Sequence, residues 1–106
     1  MNKIFLIGRL TKDAELKETD ENKKKYSKFS VAVDRERSKD KEADFFQVAL
    51  WGKIAESLVP YLNKGKLVSI IGTLRSTNYE SPEGEKKYYT EILAEDIKLL
   101  ERKKAE

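Results

Sequence analysis

Two large rings stand on the side of a strand that the core does not need. In Asp44-Phe45-Phe46-Gln47-Val48-Ala49-Leu50-Trp51-Gly52-Lys53 the extended backbone sends successive side chains to opposite faces. Phe46, Val48 and Leu50 share one face and make a core stripe, while Phe45, Gln47, Ala49 and Trp51 share the other. Rings on that second face admit two readings. One is a further apolar layer or a subunit contact. The other is a stacking platform for unpaired bases, worth about 1–3 kcal/mol per base and indifferent to sequence because every base has a π-face.

The platform needs cations beside its rings to hold a phosphate chain. Trp51 has Lys53 two residues on, and Tyr79 has Arg75 four residues before it. The candidate stackers are therefore Phe45, Trp51 and Tyr79. Tyr88 and Tyr89 come after them, since a Tyr on a hairpin also serves plain cross-strand packing. The candidate backbone contacts are Arg9, Lys28, Arg35, Arg37, Lys53, Arg75, Lys86 and Lys87.

Catalytic readings are weaker. The chain has no histidine and no cysteine, which removes the commonest general base, thiolate chemistry and the commonest metal ligands. Asp13 with Glu15 could imitate a carboxylate pair, and Glu91, Glu95 and Asp96 a metal cluster. Neither has a nucleophile motif or a glycine-rich phosphate cradle beside it, so both read as solvated charge. The expectation is a binding protein, not an enzyme, with no cofactor and no metal.

A chain of 106 residues makes one domain, long enough for a core without disulfide or metal staples. Hydrophobic and charged residues are each 39%, which describes a small core under a heavily charged surface. The net charge of +3 permits a nucleic-acid partner without demanding one. No segment approaches the roughly 20 apolar residues of a membrane span, and the apolar start is too short for a signal peptide.

The elements that must carry these residues follow from periodicity. Residues 3–10 form a strand apolar on both sides, with Ile4 and Leu6 facing one way and Phe5 and Ile7 the other. Its second face must be covered by barrel closure or by another subunit. Leu16 is an expected inward anchor, and residues 19–25 a polar turn. Phe29, Val31 and Val33 alternate with polar residues as a half-buried strand, and residues 35–42 make a projecting loop. The strand 45–51 follows. Ile54, Leu58 and Leu62 recur at four-residue spacing, so a short helix covers the core, with Gly65 as its stop and Pro60 ending or kinking it near residue 59. Residues 67–79 form a β-branched strand with Gly72 as a bend or bulge. Ser81-Pro82-Glu83-Gly84 makes a turn, and Tyr88 to Leu93 the return strand. Ile97, Leu99 and Leu100 close the domain, and residues 101–106 are a short charged tail. Three strands, a short helix and two strands is the element order of an all-β OB-fold, a five-stranded Greek-key barrel with its helix between strands 3 and 4.

The motifs now in place resemble a family. Residues 2–10 (Asn2-Lys3-Ile4-Phe5-Leu6-Ile7-Gly8-Arg9-Leu10), Asp13-Ala14-Glu15-Leu16, Val48-Ala49-Leu50-Trp51-Gly52-Lys53-Ile54-Ala55-Glu56, Tyr61-Leu62-Asn63-Lys64-Gly65 and Gly72-Thr73-Leu74-Arg75 with Tyr89-Thr90-Glu91 are together similar to bacterial single-stranded DNA-binding proteins, in register over residues 1–100. The resemblance implies an OB-fold domain that assembles, usually as a homotetramer, and wraps single-stranded DNA without sequence preference in replication, recombination and repair. It implies a cytoplasmic, nucleoid-associated place. It assigns stacking to Phe45, Trp51 and Tyr79, phosphate contact to Lys53 and Arg75, and a subunit interface to the first strand, at Lys3, Phe5 and Ile7.

Three departures bear on that expectation. Arg37 stands where many members carry another aromatic, although a guanidinium plane also stacks on a base. Phe46 occupies a position that is often histidine near a subunit contact. The sequence ends at Glu106 without the long linker and acidic tip that recruit repair enzymes in the family, so no recruitment through such a tip is expected. Two other functions fit the same fold: a protein-interaction subunit of the primosome kind, with Phe45 and Trp51 as interface anchors, and an RNA-binding module.

Overall fold

The computed structural model describes residues 1–36 and 42–100. Six strands form one sheet in the order β1-β5-β6-β4-β3-β2, and an additional β1–β3 pairing joins it into a closed ring of five, with β2 outside the ring as an extension of β3. The strands are β1 (Ile4–Leu10), β2 (Lys17–Glu18), β3 (Lys25–Asp34), β4 (Ala43–Trp51), β5 (Leu67–Glu80) and β6 (Lys86–Leu99), with helix α1 (Lys53–Leu58) between β4 and β5. This is the expected OB-fold barrel. The helix follows the fourth strand instead of the third because the two-residue β2, paired through Lys17↔Tyr26 and Glu18↔Lys25, precedes it.

Closure rests on β1, whose first part pairs with β5 and whose end, Arg9↔Ala32 and Leu10↔Val31, pairs with β3. The ring encloses Leu10, Val31, Val48, Leu50, Val68, Ile70, Ile92 and Ile97, supplied by alternate residues of the strands except in β6, where an extra residue between Ala94 and Ile97 switches the side. Leu50 and Leu62 are fully buried. Val48 and Leu50 thus lie in the core as the alternation requires, and Phe46 packs against its edge.

The second element type has a local cause. Ala55 in α1 is buried and Ile54 and Leu58 pack on the core, but Pro60 has no N–H to continue the ladder. The α-helix ends at Leu58 and a 3-10 turn, Val59–Tyr61, carries Pro60 in its first positions. Gly65 therefore does not stop the helix. It sits in the turn before β5, where its N–H donates to the Leu10 carbonyl at 2.8 Å.

Other details correct the reading of the sequence. Leu16 is 41% exposed and the neighbouring Ala14 packs on the core instead, held by an N–H donated to the Leu62 carbonyl. Of the three residues expected to close the domain only Ile97 is buried; Leu99 and Leu100 lie at the rim. Residues 101–106 lie outside the described residues, as does the middle of the expected loop, 37–41.

Gly72 meets its expectation as a bulge. The β5–β6 register shifts between Ile71 and Gly72, so that Gly72 opposes Ala94, Ile71 opposes Asp96, and Glu95 is the extra residue. A Cβ on Gly72 would lie 2.3 Å from the Leu93 carbonyl oxygen, so only glycine lets the strands approach this closely. Beyond the bulge β5 and β6 run past the barrel as a two-stranded arm, closed by the Ser81–Gly84 turn, in which the Gly84 N–H donates to the Ser81 carbonyl at 2.9 Å.

Candidate nucleic-acid interface

Residues directly opposite one another on paired strands share a face. On β4 the side away from the core carries Phe45, Gln47, Ala49 and Trp51, of which Ala49 is fully buried. Their β3 partners are Ala32, Ser30, Lys28 and Tyr26. On the other side β4 runs parallel to β6, with Ala49 beside Leu93. Counting back from Leu93 along β6, the same face carries Glu91, Tyr89 and Lys87, and their β5 partners are Arg75, Thr77 and Tyr79. One outward surface therefore runs across four strands. It carries five rings, Tyr79, Tyr89, Trp51, Tyr26 and Phe45, with Lys28, Arg75 and Lys87 among them.

The rings are accessible. Phe45 is 67% exposed, Tyr79 53% and Trp51 38%. Trp51 is less open because Tyr26 stacks on it, with centroids 4.8 Å apart and planes at 24°. Tyr79 and Tyr89 meet at 6.1 Å in a tilted pair on the arm. Such ring pairs brace each other, so a base that lands on the outer face meets a platform already held in place. Tyr26 escaped the reading of the sequence. Its alternation with Ser27 and Phe29 marks it as outward, yet only the Tyr26↔Trp51 register shows which ring it joins.

The cations fall into groups. Lys53 opens α1, two residues past Trp51, and neither it nor Arg75 has an ion pair among the described residues. Lys28 lies in the middle of the face with its Nζ 4.0 Å from the largely buried carboxylate of Glu91. Lys87 is on the ring face and pairs with Glu85 at 3.3 Å. Arg35 is engaged inside its own hairpin. Its Nε and Nη2 donate to Asp44 Oδ1 at 3.0 and 2.8 Å, and its Nη1 donates to Glu42 at 2.7 Å. The hydrogen bond from Arg35 holds the Asp44 carboxyl below the usual aspartate range, and the same bond holds the guanidinium more firmly charged.

Three of the predicted residues lie on the reverse side of the arm or beyond description, and a fourth, Arg9, lies at the far edge of this face. Tyr88 and Lys86 oppose Asn78 and Glu80, on the reverse side of the arm from Tyr79 and Tyr89. Arg9 belongs to β1, and the row Arg9–Ala32–Phe45 sets it two strands, about 10 Å, from the nearest ring. Its Nη1 donates to the Gly65 carbonyl at 2.9 Å. Arg37 lies outside the described residues.

The first strand presents a second surface. Phe5 is 70% exposed and Ile7 58%, and with Leu67 and Ile71 they line an apolar groove of about 760 Å³. Lys3 turns to its own chain: its Nζ donates to Glu95, the bulge residue, which also accepts from Thr73 Oγ1 at 3.2 Å. The hydrogen bond from Lys3 keeps the Glu95 carboxyl below its ordinary range.

Among the described residues no His, Cys, Asp or Glu group is arranged to hold a metal ion, and no helix is long and apolar enough to cross a membrane.

Comparison with known proteins agrees with this geometry. The chain is 48% identical over 103 residues to a single-stranded DNA-binding protein of Clostridium tetani, an alignment covering 95% of this chain and 71% of that one. It is 46% identical to single-stranded DNA-binding protein 3 of Clostridium acetobutylicum, covering 95% and 72%. Single-stranded DNA-binding protein 1 of the same organism is 40% identical over 107 residues, 98% of this chain and 97% of its own length. The model of the Single-strand binding protein family matches residues 1–100, and the chain belongs to that family.

Proposed function

We propose that the protein binds single-stranded DNA without sequence preference, by stacking bases on Trp51, Phe45 and Tyr79 while Lys28, Lys53 and Arg75 hold the phosphate chain. The observation that carries this is the single outward face that brings the three rings from β4 and β5 together, with Tyr26 and Tyr89 bracing them. Stacking accounts for sequence tolerance, and counterion release for salt dependence. Nothing in such a site requires bond-making, so its work is to bind and shield DNA exposed in replication, recombination and repair, in the cytoplasm at the nucleoid. The apolar groove at Phe5 and Ile7 fits a homo-oligomer, a tetramer in this reading, since an exposed apolar patch of that kind marks an interface.

The test is a titration of the protein with oligo(dT), following Trp51 fluorescence. Quenching that saturates, and that weakens as salt rises, is the expected result. An unchanged signal at low salt with excess oligo(dT) would overturn it. Competition by an RNA strand of matched length separates DNA from RNA as the preferred ligand.

A further inference from the structure

A polar cleft of about 530 Å³ opens at the edge of the ring face. Lys12, Lys17, Ser30 and Gln47 line it, and Lys28 belongs to both the cleft and the platform. The cleft is continuous with the platform through register. Lys17 opposes Tyr26, and Tyr26 opposes Trp51, so one row crosses three strands and sets Lys17 about 10 Å from the indole.

The lining has the chemistry of a backbone site. Among the described residues the one aromatic in the cleft wall is Phe29, which is buried, so no ring is offered to a base. Lys12 and Lys17 have no ion pair among the described residues. Two carboxylates also line the cleft. Asp13 is committed to structure, its Oδ1 accepting the Lys64 N–H at 2.7 Å. Glu15 has no partner among the described residues and opposes an anion.

We propose that this cleft is a phosphate subsite, in which Lys12 and Lys17 hold the sugar–phosphate chain of nucleotides adjoining those stacked on Trp51. The inference rests on the DNA-binding reading of the ring face. It adds that the strand leaves the platform over β3 toward β2.

The experiment compares the unaltered protein, Lys12→Ala/Lys17→Ala, Glu15→Gln and the charge-matched Lys23→Ala/Lys24→Ala in the turn after β2, with an oligo(dT) of several tens of nucleotides. The Lys12/Lys17 variant is expected to lower the slope of log affinity against log salt by about 0.7 per lysine, with the saturating Trp51 quench unchanged. Glu15→Gln is expected to tighten binding, and Lys23→Ala/Lys24→Ala to leave the slope alone. A Lys12/Lys17 variant with the unaltered slope, or a Lys23/Lys24 variant with an equal loss, overturns the subsite while leaving the platform standing. Failure of the unaltered protein to bind overturns both.

Discussion

Trp51 is the largest ring on the outward face. Its indole is open on one face and backed by Tyr26 on the other, so replacing it removes a stacking surface without opening the core. Trp51→Ala is expected to weaken oligo(dT) binding by about 1–3 kcal/mol while leaving the thermal unfolding midpoint close to that of the parent. Tyr26→Ala should weaken binding less, because Tyr26 steadies the indole. Both follow from fluorescence anisotropy of a labelled oligo and from calorimetric unfolding. The hydroxyl of Ser27 is buried opposite Leu50 and has no hydrogen-bond partner among the described residues. A buried hydroxyl left unpaired costs about 1–3 kcal/mol, so Ser27→Ala is expected to raise the unfolding midpoint.

The element that sets the size of the surface is the β5–β6 arm. It extends Tyr79, Tyr89 and Arg75 beyond the barrel, and its direction depends on the bulge at Gly72. Gly72→Ala must push the new Cβ away from the Leu93 carbonyl, since the unrelaxed distance is only 2.3 Å. Overpacking of this kind costs about 1–3 kcal/mol, and chemical denaturation should report it. The β3–β4 hairpin carries a pH dependence. Asp44 has its folded pKa depressed below the ordinary 3.8 by the hydrogen bond from Arg35. The stabilisation is therefore present above that ordinary value and is lost as pH falls through the lower folded value. Asp44→Asn is expected to flatten the acid limb of the stability profile, measured by the unfolding midpoint against pH, and to leave the profile near neutrality parallel to the parent's. The same variant releases one partner of Arg35, which makes that guanidinium more available to a phosphate.

At the level of the whole molecule, the proposed DNA face and the proposed subunit face lie on different strands. The ring face lies across β3, β4, β6 and β5, while Phe5 and Ile7 face outward on β1, with Leu67 and Ile71 beside them. A face that buries those residues against a second copy leaves the rings free. Light scattering is expected to give a mass several times the 12.3 kDa of one chain, and Phe5→Glu a smaller one, with Trp51 still quenched by oligo(dT). A monomeric mass for the parent protein would remove the oligomer from the proposal.

Residue order alone determined the long strands, the short helix and the outward side of the strand at 45–51, but not the two-residue β2 or the exposure of Leu16. Alternation in 45–51, the four-residue spacing from Ile54 to Leu62 and the position of Pro60 are local patterns, and local backbone geometry converts them directly into strand, helix and break. Whether β1 closes on both β3 and β5, which ring meets Trp51, why Tyr88 and Tyr79 part to opposite sides of the arm, and why Arg35 is held by Asp44 were decided by the tertiary structure. Each depends on strand register, which joins residues far apart in the chain and shifts by one at a bulge, and no local period records that choice.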